Sequence, residues 1–455
     1  MVFGPFSRRG FLRLGSSAVS ATAIGLIVGR SVSSARSTDI ADLARPFADA
    51  DHSPTYDQTT AVYATDLSVR AGEPLVIRAR SPHRLDVSVM DVGTQRSVVD
   101  LRDVDVRSDE ADPARWPILL RSQSTQGWHS GLYMAVARPH DGANWKRFAP
   151  FVVRPAEPPT GIVVQVPFAT YQAYNGWGGG SLYKFNSPDG VFKNLPIGRP
   201  FDVFDGAGFS FYGDWQFCRW LAEERQDVSY ITSFDLHNDP RILSNASLFV
   251  SVFHDEYWST PMRQHFSSFI DRGGNAAFLG ANSMFWRIRI NNGSMTCLKA
   301  TTAEGDPDPD ITAQWRSALI NQPEDQLLGS RYESYALPYG TSFDWTVTNA
   351  NHWVYRGTGL VKGDRLSDLV GYEWDNAPNS TRQGLTVLSQ TVINNDPTKP
   401  HRHEATVIEH PGGGTVFNAG TTYWPRFVRG DSHFRRDANV EQITRNLLRR
   451  LGRPR

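Results

Sequence analysis

Two apolar stretches, Ser247-Leu-Phe-Val-Ser-Val-Phe253 and Asn275-Ala-Ala-Phe-Leu-Gly280, decide the fold of this chain. Each has the composition of a buried strand, and the residues between them predict a helix. His254 and Glu256 follow the first strand, and Asn282 follows the second. In an open α/β sheet, ligands bind beyond the carboxyl ends of the strands, so these three side chains are candidate site residues.

The composition is that of a soluble globular protein. The chain has 455 residues, with 47 basic and 47 acidic residues, 25 Phe, 15 Tyr and 13 Trp. A chain of this length exceeds one ordinary core, so two or more domains are expected. The balanced charge gives no reason to expect nucleic acid or an anionic membrane as a partner.

Residues 1–37 resemble a twin-arginine export signal. Ser7-Arg-Arg-Gly-Phe-Leu-Arg13 has Arg13 where Lys is usual, and an apolar stretch from Ala18 to Val28 follows it. That stretch is too short to favour a membrane span. We therefore predict a protein exported to the periplasm, cell envelope or extracellular space, with no membrane span after signal removal and a linker at residues 38–54. An ordinary secretion signal or a membrane anchor is the alternative.

The chain beyond the linker predicts a multidomain protein, all-β and then α/β. Short alternating runs between turn residues over residues 55–155 have the spacing of an immunoglobulin-like β-sandwich. From residue 160 to 455, strands alternate with helices, which predicts a parallel sheet covered on both faces. Residues 290–365 are rich in Asp, Pro, Asn and Gly, and we expect them to be an insertion with little regular structure.

The predicted three-layer α/β domain resembles class I glutamine amidotransferases, in which a cysteine sits on the turn after a central strand. Here Cys218 falls within a predicted helix and Cys297 within the insertion, and Gly-x-Ser-x-Gly is absent. Covalent catalysis by Cys or Ser therefore has little support. Whether the two cysteines form a disulfide is left open.

Three segments carry candidate chemistry. His254 and Glu256 could bind a metal or move a proton, or could belong to an ordinary exposed loop. Glu373 stands between two aromatic residues, where desolvation would raise its carboxyl pKa toward that of a general base; pairing with an arginine is the alternative. The glycine-rich segment from Tyr171 to Tyr183 follows the first strand of the sheet, and is either a binding loop or a tight aromatic turn. Zinc-binding motifs, a dinucleotide fingerprint and a Walker loop are absent.

Taken together, six segments resemble the C-terminal region of the large (beta) subunit of bacterial N,N-dimethylformamidase. They are Ser130-Gly-Leu-Tyr133, Tyr171-Gln-Ala-Tyr-Asn175 with the following glycines to Tyr183, Phe253-His-Asp-Glu-Tyr-Trp258, Gly280-Ala-Asn282, Gly371-Tyr-Glu-Trp-Asp375 and Gly412-Gly-Gly-Thr-Val-Phe-Asn418. Their order and spacing cover about residues 55–450.

The resemblance implies a mononuclear, non-haem, ferric iron held by two tyrosines and one glutamate. Matched by motif, the metal ligands would be Tyr133, Tyr174 and Glu256, and the residues around the substrate would be His254, Asn282 and Glu373. Tyr133 would place the site at the interface between the two domains. Tyr171 and Tyr183 lie near enough to Tyr174 in sequence to be confused with it.

The sequence therefore predicts an exported, iron-dependent amidohydrolase that cleaves the C–N bond of a small linear amide with a metal-activated water. Dimethylformamidase itself is cytoplasmic and has a further N-terminal domain and a small subunit. A homo-oligomer or a small-subunit partner is left open here. The alternatives are a secreted carbohydrate- or ligand-binding protein without catalysis, and an iron protein with oxygen chemistry.

Overall fold

The structure, a computed structural model, describes residues 58–208, 210–394, 400–430 and 435–453. The predicted signal and linker lie outside these residues. The first eight strands are β1 (Ala61–Ala64), β2 (Ser68–Arg70), β3 (Leu75–Arg80), β4 (Leu85–Asp91), β5 (Ser97–Val104), β6 (Ile118–Ser122), β7 (Gly131–Pro139) and β8 (Arg147–Arg154).

The remaining strands are β9 (Thr160–Val166), β10 (Asn194–Pro196), β11 (Val228–Thr232), β12 (Asn245–His254), β13 (Tyr257–Ser259), β14 (Asn275–Ala281), β15 (Trp286–Asn291), β16 (Ser294–Thr296), β17 (Arg331–Tyr335), β18 (Phe343–Thr346), β19 (Arg365–Val370), β20 (Glu373–Asn376), β21 (Leu385–Ile393), β22 (His401–Glu409) and β23 (Thr415–Asn418). The α-helices are α1 (Phe168–Ala173), α2 (Phe211–Glu223), α3 (Ser233–Asn238), α4 (Thr260–Asp271), α5 (Asp325–Leu328), α6 (Trp424–Arg429) and α7 (Ala438–Leu451).

Strands β1 to β8 form two sheets, as in a sandwich. One sheet has the order β1-β3-β6 and the other β2-β8-β7-β4-β5. In β3 and β4 buried residues alternate with partly exposed ones, the period expected when one face of a strand packs on a core. Strand β5 was not predicted, since none of its residues is buried and the strand lies at the sheet edge.

Strand β7 contributes to two cores. Tyr133, Ala135 and Ala137 belong to the apolar core between the two sandwich sheets. The intervening side chains, Leu132 and Met134 among them, belong to the large core that also contains residues of the α/β part. Both faces of β7 are therefore covered, and the alternation along the strand decides which face each side chain occupies.

The central sheet has seven strands in the order β11-β9-β12-β14-β23-β22-β21. The first five strands are parallel to one another, as predicted. Strand β22 pairs antiparallel with β23, and β21 pairs antiparallel with β22. The expectation of a wholly parallel sheet was wrong at this edge. A parallel pair requires a crossover of a dozen or more residues, and only seven residues separate β21 from β22.

Helices cover both faces of this sheet. Alternating residues of β12 and β14 divide between two apolar cores. The core on one face includes side chains of α2, α6 and α7, and the core on the other face includes side chains of α3 and α4. The carboxyl ends of the parallel strands remain as the edge where loops gather.

The segment at residues 290–365 differs from its prediction. Little regular structure was expected, yet it contains β16, β17 and β18, the end of β15, and the helical turn α5. Its strands are only three to six residues long, which is why they give little periodic signal in the sequence.

Cys218 and Cys297 are both buried and both free, which answers the question of a disulfide. Within the described part of the chain, no helix combines the length and apolar character needed to cross a bilayer.

Candidate functional site

The ends of β12 and β14 bring the first candidate residues together. His254, the last residue of β12, is the register partner of Ala281, and Asn282 follows directly. Phe253 and Asn282 have φ values of 58° and 53°, in the left-handed region that side chains other than glycine rarely adopt. Such backbone conformations concentrate at functional sites, where the surrounding structure holds them in place.

The backbone of Glu256 is held by hydrogen bonds at both its N–H and its carbonyl group. Its N–H donates to the Thr170 hydroxyl at 3.0 Å, and its carbonyl accepts the N–H groups of Phe285 and Trp286, each at 2.9 Å. The side chain is 3% exposed. The Glu256 carboxylate is thus fixed in position beyond the strand ends.

Two tyrosine hydroxyls converge on this carboxylate. The Tyr174 hydroxyl donates to Glu256 Oε2 at 2.8 Å, and the Tyr183 hydroxyl lies 2.8 Å from Oε2 and 3.0 Å from Oε1. The two rings stack with centroids 4.3 Å apart, and the Tyr257 hydroxyl donates to that of Tyr183 at 2.6 Å. Burial, followed by the charge of Glu256, raises the pKa of both Tyr174 and Tyr183 well above 10.

Lys299 supplies a positive charge beside these groups. Its Nζ lies 3.6 Å from the ring centroid of Tyr183 and 5.0 Å from that of Trp286, within the range of a cation–π interaction. Burial raises the pKa of Glu256, but the hydrogen bond to His254 and the charges of His254 and Lys299 outweigh it, and the pKa falls below its ordinary value. The carboxylate therefore remains ionised at neutral pH.

His254 is fully buried between two carboxyl groups. Its Nε2 lies 3.4 Å from Glu256 Oε2 and 3.1 Å from the Tyr174 hydroxyl, and its Nδ1 lies 3.3 Å from Glu373 Oε2. Burial lowers the imidazole pKa, but the two carboxylates raise it further, to about 9. At neutral pH the ring is charged and links the two acids.

Glu373, the first residue of β20, has the opposite pKa shift. Burial raises the pKa of its carboxyl to about 7, although the charge of His254 opposes the rise. Asn282 donates to Glu373 Oε2 from its Nδ2 at 3.4 Å, and the Asn282 backbone N–H donates to Asp375 Oδ1 at 2.9 Å. Asn418 holds the other oxygen of Asp375 at 3.1 Å. The site thus contains a carboxyl group that titrates near neutral pH.

Tyr133 is the candidate that the structure does not bring to this cluster. It lies in the sandwich core, where its ring stacks on Phe151 at 5.7 Å and its hydroxyl donates to the His129 carbonyl at 3.0 Å. The expectation that Tyr133 reaches the interface site was wrong, because its position along β7 directs it to the sandwich face of the strand. Tyr171 is also directed elsewhere, and its hydroxyl donates to Asp214 at 2.6 Å.

Three members of the cluster were missed as site residues: Tyr183, Tyr257 and Lys299. The sequence shows Tyr183 only as a near neighbour of Tyr174, but the glycine-rich segment folds it back so that the two rings stack. Tyr257 directly follows Glu256 in the motif and would have been found by considering every residue after the strand end. Lys299 lies in the insertion, and nothing in its sequence surroundings marks it.

The donor set suits a hard trivalent cation. Tyr174, Tyr183 and Glu256 offer phenolate and carboxylate oxygens, which favour ferric iron over softer ions. Among the described residues, no group of three or more His, Cys, Asp or Glu side chains is arranged to hold a metal, so a centre on the common zinc pattern has no support there. Two hydroxyl oxygens from the glycine-rich segment converge on the carboxylate that follows β12, and this set would fit an iron site made largely of tyrosine.

Comparison with known proteins gives one informative match. The family model described as "N,N-dimethylformamidase beta subunit-like, C-terminal" matches residues 83–434. A search of curated proteins finds no match. Among solved structures, "mmIFT52 N-terminal domain" matches with 10% identity and a TM-score of 0.30, covering 50% of this chain and 87% of that chain. An immunoglobulin-domain complex, "Crystal structure of Dpr2 Ig1-Ig2 in complex with DIP-Theta Ig1-Ig3", matches with 12% identity and a TM-score of 0.15, covering 23% and 39%. Neither structural likeness is close enough to support an argument.

Proposed function

Because the chain belongs to the N,N-dimethylformamidase beta subunit-like family through its C-terminal region, we propose that it hydrolyses the C–N bond of a linear amide at the cluster around Glu256. The description of the family points to a C–N hydrolase. The iron dependence, the roles of the residues and the substrate are parts of this proposal.

Tyr174, Tyr183 and Glu256 would hold the iron. All three side chains are buried or nearly so. The hydroxyls of Tyr174 and Tyr183 already lie within hydrogen-bonding distance of the Glu256 carboxylate. Bound there, ferric iron would polarise the amide carbonyl and lower the pKa of water. The phenol protons now shared with Glu256 would have to leave for the oxygens to serve as anionic ligands.

Glu373 and His254 would move the protons of the reaction. A carboxyl with a pKa of about 7 is balanced between accepting a proton from water and releasing it, so Glu373 Oε2 is the proposed general base. His254 Nδ1 lies 3.3 Å from the same oxygen, so the imidazolium could pass a proton toward the departing amine nitrogen. The Asn282 side-chain amide would donate to the carbonyl oxygen as negative charge develops.

The observation that carries this proposal is the position of His254, buried between a carboxylate surrounded by tyrosines and a carboxyl that titrates near neutral pH. The test is an assay of amine release from small linear amides, with the iron content of the same protein measured. Glu373→Gln should retain iron and lose turnover. Full turnover by this variant would refute the assignment of the base.

We also propose export of the protein, a partner subunit and an amidotransferase-like α/β part. The paired arginines at Arg8 and Arg9 support export by the twin-arginine pathway. The description of the family as beta subunit-like supports a partner subunit. The parallel strands β11, β9, β12, β14 and β23, covered on both faces, support a classification of the α/β part as amidotransferase-like.

A further inference from the structure

Three large exposed apolar side chains lie on segments that adjoin the candidate site. The described residues with large exposed hydrophobic side chains are Phe185, Val191, Leu337, Tyr339, Val361 and Val392. Phe185 is 50% exposed, and Leu337 and Tyr339 are 49% exposed. These three belong to two segments that border the site from different parts of the chain. A clustered exposed apolar surface marks a binding site more often than scattered residues do.

Phe185 is fixed next to the proposed metal ligands. Its ring centroid lies 5.6 Å from that of Tyr183 and 6.3 Å from that of Tyr174. The adjacent Asn186 donates from its side chain to the Tyr174 carbonyl, and its side-chain oxygen accepts from the Ser181 hydroxyl. The segment that carries the exposed ring is therefore anchored, although the ring itself faces solvent.

Tyr339 contacts the residue that precedes Glu373, and Leu337 lies two residues earlier on the same segment. Strand β17 pairs with β20 so that Tyr335 lies opposite Glu373, and the chain then continues into the exposed segment. The Tyr339 ring meets that of Tyr372 edge to face, with centroids 5.0 Å apart. Burial, followed by the charge of Glu373, raises the pKa of Tyr339 to about 12, consistent with a hydroxyl near that carboxyl.

The two segments meet the catalytic cluster on different sides of His254. Tyr174, which contacts Phe185, has its hydroxyl 3.1 Å from His254 Nε2. Glu373, adjacent to the residue that contacts Tyr339, lies 3.3 Å from His254 Nδ1. A substrate whose amide group reaches this imidazole would therefore approach residues that contact each of the two exposed rings.

We infer that Phe185, Leu337 and Tyr339 form an aromatic rim that selects neutral amides with an aromatic substituent. The inference rests on the proposed function and extends it to the substrate class. The three side chains carry no charge at neutral pH, and two of them offer flat faces that stack on a flat ring. The two N-methyl groups of dimethylformamide are too small to cover these three side chains. Hydrolysis of such an amide needs only water: the water oxygen bonds to the carbonyl carbon, the C–N bond breaks, and the nitrogen takes a proton and leaves as the amine.

The first experiment compares kcat/KM for formanilide and N,N-dimethylbenzamide with that for N,N-dimethylformamide. At least one aromatic amide should be preferred, and Phe185→Ala and Tyr339→Ala should each lower that kcat/KM about tenfold while changing the value for dimethylformamide little. Tyr339→Phe, which keeps the ring, should retain the preference. Val361→Ala truncates another exposed apolar side chain, 61% exposed and outside the rim, and serves as the control.

A binding measurement separates failure of the rim from failure of the hydrolase. Calorimetric titration of the purified protein, with its bound metal, reports formanilide binding whether or not turnover follows. Binding that weakens in Phe185→Ala, in a protein that hydrolyses no amide, would uphold the rim and refute the proposed function. The inference would be wrong if the protein hydrolysed amides without preferring aromatic ones and bound formanilide equally well in Phe185→Ala. It would also be wrong if the rim residues were needed to bind a maltooligosaccharide and the protein did not bind formanilide.

Discussion

The Tyr183 hydroxyl lies 2.8 Å from Glu256 Oε2, although the two residues are 73 positions apart in the sequence. The glycine-rich segment brings Tyr183 back over Tyr174, so that both hydroxyls reach the same carboxylate. This pair replaces Tyr133 as the expected companion of Tyr174 in the proposed metal site.

The first prediction concerns the identity of the second tyrosine ligand. Tyr183→Phe removes one oxygen and keeps the ring, so it should lower iron affinity at least about tenfold, since even outer-shell changes cost that much. Tyr133→Phe removes only the bond to the His129 carbonyl and should keep full iron. Metal analysis of both purified proteins checks this, and the reverse pattern would restore the motif-based assignment.

The second prediction concerns the general base. Glu373→Gln should lower kcat by about 10²- to 10⁴-fold, the usual contribution of a positioned acid or base, because an amide cannot accept the proton. Iron content should be unchanged. Glu409→Gln alters an exposed glutamate at the end of β22 and serves as the control. Equal turnover in Glu373→Gln and the control would show that another group accepts the proton.

The third prediction concerns Lys299. Its ammonium lies over the Tyr183 ring and stabilises electrons on that phenol. Lys299→Met should therefore shift the tyrosinate-to-iron absorption band to longer wavelength, whereas Lys299→Arg, which keeps the charge, should shift it less. Lys193→Met removes an exposed lysine from a neighbouring segment and should leave the band in place. An unmoved band in Lys299→Met would show that the lysine has no electronic effect on the site.

The fourth prediction is a pH dependence of stability. Asp202 is 4% exposed, and burial raises the pKa of its carboxyl to about 6 even though Arg199 opposes the rise. The folded state thus favours the protonated acid, and this contribution is complete below pH 4 and lost as pH rises through 6. As the pH rises from 4 to 7, the unfolding free energy of Asp202→Asn should therefore increase by up to about 3 kcal/mol relative to that of the wild type.

Denaturant unfolding at pH 4 and pH 7 measures this difference, with the exposed Asp109→Asn as the control. A gap between Asp202→Asn and the wild type that stays constant across this range would contradict the raised pKa.

Much of the central fold follows from sequence periodicity. Strands β12 and β14 and the helix α4 between them were predicted nearly within their observed bounds, because long apolar runs and helical spacing give strong local signals. The antiparallel edge was missed because pairing direction depends on the connection, which local composition does not encode. The exposed strand β5 has no apolar alternation to reveal it.

The candidate site likewise contains residues that the sequence predicts and residues that it does not. His254, Glu256 and Asn282 could be placed together because carboxyl ends of parallel strands share one edge. Tyr133 could not be excluded from the sequence, because β7 is apolar on both faces and its alternation does not show which face meets the second core. Lys299 reaches the site through the tertiary fold of the insertion, with φ at 52°, and no local pattern predicts that.

The central claim is a tyrosine-bound ferric iron at Glu256, and the visible absorption spectrum of the purified protein, taken with its iron content, tests it most directly. We predict about one iron per chain and a broad tyrosinate-to-iron band that weakens in Tyr183→Phe. A protein that remains colourless and free of metal after ferric iron is supplied would contradict the account.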